Sequence, residues 1–236
     1  HPSQINVQNI QFSDLNKFGE QAKIVYVNHN SKPIIVQTPE MVCPYGLGKY
    51  DGGETVKYSL DISFRGKETN PAIERFYTFL KNLDEKVLDE STKHSLEWFK
   101  KKSQSRDVSE ALFTPSIKVA TENGEPTDKY PSTFKSKIKE YEGKFKVFCY
   151  NEDKEPITDD LATTLTKGQT VRAIVRLVGI WFAGGKFGLS WELQQLKFTP
   201  RVSISEYSFV DDDEEGKEVA DTNENYVIDS EEEGDL

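Results

Sequence analysis

Apolar and polar residues alternate in several stretches of the chain, and each such stretch predicts a β-strand. The stretch 56–64 has this alternation and is typical of a strand with one buried face; its apolar residues are Tyr58, Leu60, Ile62 and Phe64. Two β-branched stretches separated by the turn formers of 28–32 predict a hairpin of 23–27 with 33–37. Later strands are predicted at 117–120, 132–140, 144–150, 170–183 and 186–198.

A helical segment interrupts these strands. Asn70 precedes Pro71 and can cap a helix whose first position is a proline. Apolar residues then recur at helical spacing, namely Ile73, Phe76, Tyr77, Leu80, Leu83 and Leu88. Ser91 can cap a second helix that carries Leu96, Trp98 and Phe99. We therefore predict a helical insertion at about 70–113.

Glycine-rich turns connect the later strands. Glu142-Gly143 and Gly184-Gly185 are typical of tight hairpins, whereas the glycines of 46–53 indicate a flexible loop. Strands on both sides of one helical segment favour a mainly β fold, a small antiparallel barrel with an inserted helical segment.

The charge of the chain divides it into two parts. Residues 206–236 contain fourteen Asp or Glu and one Lys, a net charge of −13, whereas residues 1–205 contain 29 bases and 26 acids, a net charge of +3. So acidic a stretch buries too little apolar surface to offset the entropy of ordering it. We expect one domain at 1–205 and a disordered acidic tail at 206–236.

The sequence lacks the usual signatures of an enzyme. Its histidines do not have metal-ligand spacing, and the glycines from Gly46 do not match a phosphate-binding loop. Cys43 and Cys149 are more typical of packing residues than of nucleophiles, and two separate cysteines favour a reducing, intracellular compartment. No apolar run approaches the length of a membrane span, and no secretory leader is visible. We predict a non-enzymatic, intracellular protein that uses no metal and no other cofactor.

Basic and aromatic residues crowd the strands after residue 129. Between 144 and 150, alternation places Lys146, Phe148 and Tyr150 on one face and apolar residues on the other. Such a surface suits single-stranded nucleic acid, because any base can stack on a ring while cations follow the phosphates. The predicted DNA-binding residues are Lys135, Lys137, Lys139, Tyr141, Lys144, Lys146, Phe148, Tyr150, Arg172, Arg176, Trp181, Lys186 and Phe187.

Some of these rings have an alternative role in the core. Trp191 shares a strand face with Leu189 and Leu193, which favours the core. For Trp181 and Phe187, which flank a Gly-Gly turn, core packing and base stacking both remain open.

The chain resembles the OB-fold single-stranded DNA-binding proteins of short-tailed coliphages, which have relatives in nucleo-cytoplasmic large DNA viruses. The resemblance is carried by the strand 56–64 with its following helix, by 137–150, by Gly168 to Leu196 with Trp181 and Gly188-Leu-Ser-Trp191, and by the acidic ending 230–236. It implies a five-stranded OB-like antiparallel barrel that binds single-stranded DNA in viral DNA replication and recombination, in the host nucleus or cytoplasm at viral replication sites.

The same resemblance implies roles for the tail. It would contact a polymerase, helicase or primase, compete with DNA for the basic surface and help to hold a homodimer. The residues concerned are Asp229, Glu231, Glu232, Glu233, Asp235 and Leu236, with Leu236 in the place of the family's terminal aromatic residue.

We therefore expect a sequence-nonspecific single-stranded DNA-binding protein that contacts no membrane. A protein-interaction or virion-associated β-domain is the alternative, although it leaves the crowding of Lys and aromatic residues after 129 unexplained. A nucleotide-handling enzyme has only the loop at Gly46 in its favour. Base stacking does not depend on the sugar, so the sequence leaves the choice between DNA and RNA open.

Overall fold

The computed structural model describes residues 2–19, 22–53 and 55–200, and most of their regular structure is β. The strands are β1 (Ile10–Phe18), β2 (Ala22–His29), β3 (Lys32–Pro33), β4 (Ile35–Gln37), β5 (Met41–Cys43), β6 (Leu47–Tyr50), β7 (Lys57–Ser63), β8 (Phe113–Thr114), β9 (Ile117–Lys118), β10 (Thr121–Glu122), β11 (Glu125–Pro126), β12 (Thr133–Ile138), β13 (Glu140–Tyr141), β14 (Lys144–Phe145), β15 (Phe148–Tyr150), β16 (Gln169–Ala183) and β17 (Lys186–Phe198). The helices are α1 (Pro71–Lys93), α2 (Ser95–Phe99), α3 (Arg106–Leu112) and α4 (Leu161–Thr164), and two single 3-10 turns lie at Pro2–Gln4 and Val7–Asn9.

The main sheet has thirteen strands within the described residues, and five of them pair in a closed circuit. β5 pairs with β7, β7 with β12, β12 with β17, β17 with β16, and β16 again with β5. The remaining strands extend this circuit at its margins, and β10–β11 and β13–β14 form two separate hairpins.

The prediction of a mainly β fold with a helical insertion is confirmed. The prediction that the sheet has five strands, all antiparallel, is wrong. The sheet has more strands, and β17 pairs in parallel with β8, β12 and β15. Several extra strands are only two or three residues long, too short to show a period. Parallel pairing joins segments that are far apart in the sequence, so local patterns do not reveal it.

The longest ribbon is the antiparallel pair β16–β17, as predicted. Gly184 and Gly185 connect its strands with φ of 57° and 76°, values that a two-residue hairpin of this handedness needs at both positions and that glycine adopts without steric cost. The register shifts between Ile174 and Val175 and between Leu177 and Gly179. Because these irregularities change which residues face outward, simple alternation fails along this ribbon.

Helix α1 begins as the sequence predicts. The Asn70 side chain accepts a hydrogen bond from the Ala72 N–H at 2.9 Å, and Pro71 occupies the first helical position. The buried face of α1 includes Phe76, which meets Phe134 of β12 edge to face with ring centroids 5.4 Å apart. Phe134 in turn meets Trp191 at 5.5 Å. The core therefore lies between α1 and the circuit of strands, and Trp191, 2% exposed, belongs to it as favoured by the sequence.

Some local predictions differ from the structure. Ser91 lies inside α1, where its hydroxyl donates to the Leu88 carbonyl, so it does not cap a second helix. Part of the glycine-rich loop forms β6, which pairs with β7. Strand β1, whose register shifts between Phe12 and Leu15, does not follow from the alternation of apolar and polar residues. No helix in the described part of the chain is long and apolar enough to cross a membrane.

Candidate nucleic-acid interface

The outer surface of β7 and β12 carries the first group of predicted cations. In β12 the residues alternate from Phe134 onward, so Phe134, Ser136 and Ile138 are buried whereas Lys135 and Lys137 point outward. Antiparallel pairing with β7 places Lys135 opposite Asp61 and Lys137 opposite Ser59. The Lys135 ammonium lies 3.7 Å from a carboxylate oxygen of Asp61. Burial raises the pKa of Asp61, and the charges of Lys135 and Lys118 oppose that rise.

Glu192 connects this surface to β16 and β17. Parallel pairing places Glu192 beside Lys137, and antiparallel pairing places it opposite Arg176. Its carboxylate contacts the Lys139 ammonium at 2.8 Å and Arg176 Nη2 at 3.2 Å. Burial by itself raises the pKa of Glu192, but the hydrogen bonds from Lys139 and Gln194 and the charges of Lys139 and Arg176 outweigh burial and lower it. Glu192 is therefore an anion that forms ion pairs with two of the predicted DNA-binding residues, Lys139 and Arg176.

Lys137 differs from its neighbours because it forms no ion pair within the described residues. Desolvation by the surrounding protein is the main cause that lowers its pKa, and the positive charge of Lys57 adds to the effect. Lys137 is thus close enough to Lys57 for the two like charges to repel each other. An added phosphate would relieve the repulsion between the two lysines.

The segment 140–150 adds exposed rings to these cations. The turn Glu142-Gly143 joins β13 to β14, and the Lys146 ammonium lies 5.4 Å from the centre of the Tyr141 ring. Tyr141 is 61% exposed and Phe148 is 68% exposed. A ring this exposed has a free face for a nucleic-acid base. Phe145 is half-buried and packs edge to face against Tyr58, with ring centroids 4.8 Å apart.

Strand β15 places Phe148 and Tyr150 along the edge of β17. Phe148 pairs with Gln195 and Tyr150 with Lys197, and Arg172 lies opposite Lys197 on β16. Tyr150, Arg172 and Lys197 line a cavity of about 330 Å³ with an apolar contribution from Ile174 and Leu196. Two of its cations already have partners: Arg172 lies 3.4 Å from Glu40, and Lys197 pairs with Glu152.

The structure therefore brings most of the predicted site together. We refer to these residues as the outer surface. They are Lys135, Lys137, Lys139, Tyr141, Lys144, Lys146, Phe148, Tyr150, Arg172 and Arg176. All of them lie on β12–β17 of the chain or in the connections between these strands.

Three predicted residues lie outside this outer surface. Phe187 is 0% exposed and stacks on Phe182 at 5.8 Å, so it has no face for a base and its assignment to the interface is wrong. Trp181 is half-buried, with its ring over Gly188. Lys186 lies at the far end of the β16–β17 ribbon, beside the Gly-Gly turn.

Sequence reasoning also missed part of the site. Asp61 and Glu192 are acidic residues of this surface, and a pattern of bases and rings does not point to them. Lys57 lies on the outward side of β7, where the alternation of 56–64 was a usable signal. Lys197 became recognisable only from its pairing with Tyr150. The predicted tail residues, Asp229, Glu231, Glu232, Glu233, Asp235 and Leu236, lie outside the described residues.

Comparison with known proteins identifies a family for this chain. The model of a family of unknown function (DUF5871) matches residues 61–211. No curated protein matches the sequence.

The solved structures that are similar at a low level include those of two phage proteins. The single-stranded DNA-binding protein from bacteriophage Enc34 in complex with single-stranded DNA has 16% identity and a TM-score of 0.45, over 80% of this chain and 96% of that chain. A single-stranded DNA-binding protein encoded by bacteriophage T7 has 13% identity and a TM-score of 0.44, over 72% of this chain and 93% of that chain. The resemblance to phage proteins noted in the sequence stays a prediction.

Proposed function

We propose that this protein, which belongs to the family of unknown function DUF5871, binds single-stranded DNA through the outer surface. The observation that carries the proposal is the contact between cations and exposed rings in the segment 141–148. There Lys146 lies over Tyr141, Phe148 is largely exposed, and Lys144 and Lys146 form no ion pair within the described residues. Rings that accept bases and cations that accept phosphates are the two requirements of such binding.

The strand pairings support an OB-type barrel as the scaffold. In OB folds, the face of the second and third strands and two of the connecting loops bind oligonucleotides. In the closed circuit β5-β7-β12-β17-β16, numbered along the chain, the second and third strands are β7 and β12. The outward residues of these strands include Lys135 and Lys137 of the outer surface. The finer proposal is therefore that five strands of the larger sheet form an OB-like barrel.

The chemistry of the outer surface favours binding without sequence preference. Every base has a face that can stack on a ring, each stack contributing about 1–3 kcal/mol. Bases in a duplex are already stacked on each other and cannot reach the exposed rings without unpairing. We therefore expect a preference for single strands over the matching duplex, with no enzymatic turnover and no cofactor requirement.

The proposal extends to the acidic tail through its charge. Residues 206–236 carry a net charge of −13, whereas residues 1–205 carry +3. A tethered polyanion has a high effective concentration at its own basic surface, so it competes with DNA. In this proposal the tail also contacts replication proteins such as a polymerase, helicase or primase, in viral DNA replication and recombination, and contributes to a homodimer.

Fluorescence anisotropy tests this function. A labelled oligo-dT of about thirty nucleotides, the matching duplex and the matching RNA are titrated with the full chain and with residues 1–205 at two salt concentrations. We expect preference for the single strand, weaker binding at high salt and tighter binding after removal of the tail. If neither form binds at low salt, the proposal is wrong and a protein-interaction role replaces it. If only the effect of the tail is missing, competition by the tail is excluded.

A further inference from the structure

Lys17 and Lys23 are directly opposite each other in the β1–β2 hairpin. Two like charges in this position destabilise a pair of strands. Neither ammonium group forms an ion pair with any residue of 2–19, 22–53 or 55–200. Both side chains are exposed, so an anion from solution can reach the two ammonium groups and reduce the repulsion between them.

A second group of lysines lies where helix α2 ends. Lys100, Lys101 and Lys102 are consecutive and exposed. Lys100 has a φ of 60° and donates its backbone N–H to Leu96, so it adopts the left-handed conformation that usually ends a helix at glycine or asparagine. The chain thus has a lysine at a position where that residue type has a conformational cost. The next residue, Lys101, lines a cavity together with Phe182 and Lys186 of the β16–β17 hairpin.

Two neighbouring cavities bring these lysines together. One, of about 310 Å³, is lined by Lys23, Lys101 and Lys186, and Phe99 and Phe182 contribute to its apolar side. The other, of about 570 Å³, is lined by Lys17, Lys23 and Lys100.

Two carboxylates also line the larger cavity, those of Asp14 and Glu97. The Glu97 carboxylate is 3.1 Å from Nδ1 of His94, so it already has a hydrogen-bond partner. Five lysines against two acids leave the region positive. We refer to Lys17, Lys23, Lys100, Lys101 and Lys186 as the lysine cluster.

We infer that the lysine cluster is a second phosphate-binding site, which takes the part of a single-stranded DNA that extends beyond the outer surface around the β16–β17 turn. The charge of the cluster complements phosphodiesters, and its cavity has the apolar surface that a sugar or a base edge can cover. Gly184 and Gly185 carry no side chains that would block a strand passing over this turn. This inference rests on the proposed function.

Four of the five lysines lie on elements outside the closed circuit of five strands, namely β1, β2 and the helical insertion, and Lys186 begins β17 of the circuit. The binding surface would accordingly extend from the outer surface to the opposite end of the β16–β17 ribbon.

Charge reversal in the full chain tests the inference. The variant Lys23→Glu/Lys101→Glu alters the cluster, and Lys32→Glu/Lys81→Glu is the matched control, because it changes the net charge equally at exposed residues that line neither cavity. Lys23→Glu places opposite charges across the β1–β2 pair, so the fold should not be weakened there. Anisotropy with an oligo-dT of about thirty nucleotides is measured over a range of salt concentrations.

We expect the cluster variant to bind more weakly than the control, and its slope of log affinity against log salt to be smaller by about 1.4, since each phosphate contact on a single strand contributes about 0.7. A third variant, Lys137→Glu/Lys144→Glu, reports on the outer surface. If this variant loses affinity and the cluster variant behaves as the control, the inference is wrong and the proposed function stands. If neither wild type nor any variant binds, the proposed function itself fails.

Discussion

Arg176 and Glu192 lie opposite each other on β16 and β17, with Arg176 Nη2 3.2 Å from each carboxylate oxygen of Glu192. The same carboxylate holds Lys139 at 2.8 Å. An acidic residue of the outer surface thus forms ion pairs with two of the cations that the proposed DNA binding would use. Its 7% exposure keeps it beneath these side chains, where it fixes their positions.

Replacing Glu192 with glutamine should tighten binding. Glu192→Gln removes one negative charge from the outer surface and keeps an oxygen that accepts a hydrogen bond. A charge interaction at about 4 Å in water is worth about 1 kcal/mol, or roughly fivefold in affinity. Anisotropy at low salt measures the change, and Glu40→Gln, which frees only Arg172, is the comparison. Weaker binding by Glu192→Gln would show that the carboxylate is needed to position the cations.

Removing an exposed ring should weaken DNA binding without weakening the fold. Phe148→Ala and Tyr141→Ala each delete a ring that contacts water over most of its surface. We expect each to lose about 1–3 kcal/mol of binding free energy, the range for one base stacked on an aromatic side chain. Leu96→Ala is the control, because Leu96 is an exposed apolar residue of α2 outside the outer surface. Affinities equal to that of the control would exclude these rings as stacking residues.

Replacing Phe187 should weaken the fold and leave the DNA affinity unchanged. Phe187→Ala deletes a buried ring that packs against Phe99, Phe113 and Phe182. The expected cost is about 3–5 kcal/mol of unfolding free energy, measured by urea denaturation. Phe187→Leu retains most of the volume and serves if the alanine variant does not fold. The DNA affinity of the folded leucine variant should equal that of wild type, and a specific loss of affinity with unchanged stability would return Phe187 to the interface.

Asp84 should make stability depend on pH. Burial raises the pKa of this carboxyl to about 7, although hydrogen bonds from the Ser116 N–H at 2.8 Å and hydroxyl at 2.7 Å oppose the rise. Because its pKa is higher in the folded than in the unfolded state, protonation stabilises the fold, and this stability is lost as pH rises toward about 7.

The Asp84→Asn variant isolates this contribution. Between about pH 5 and 6.5, the unfolding free energy of wild type should fall relative to the variant by as much as about 1.4 kcal/mol per pH unit. Urea denaturation at several pH values measures both proteins. Parallel pH profiles would show that Asp84 is ionised across this range and that burial does not control its pKa.

The sequence predicted those elements whose signal is local. Asn70 and Pro71 define the start of α1, and Gly184-Gly185 defines the β16–β17 turn, because capping and positive φ depend on a few adjacent residues. Ser91 was misassigned because serine is common both at helix starts and inside helices, where its hydroxyl donates to a preceding carbonyl.

The candidate site was predictable where one segment supplies it. Residues 134–138 and 144–150 alternate, so their cations and rings could be recognised together. The role of Glu192 was not predictable, because it depends on parallel pairing with β12. The lysine cluster was missed for a similar reason: its residues come from a hairpin, a helix end and a distant turn.

Photocrosslinking tests the central claim, that single-stranded DNA lies on the outer surface, most directly. The full chain is irradiated with an oligo-dT in which some thymines are replaced by 5-bromouracil, and the crosslinked peptides are identified by mass spectrometry. We predict crosslinks at Tyr141 and Phe148, which compete with unlabelled single strand and disappear in the double variant Tyr141→Ala/Phe148→Ala. Crosslinks that persist in this variant, or that occur only on other surfaces, would contradict the account.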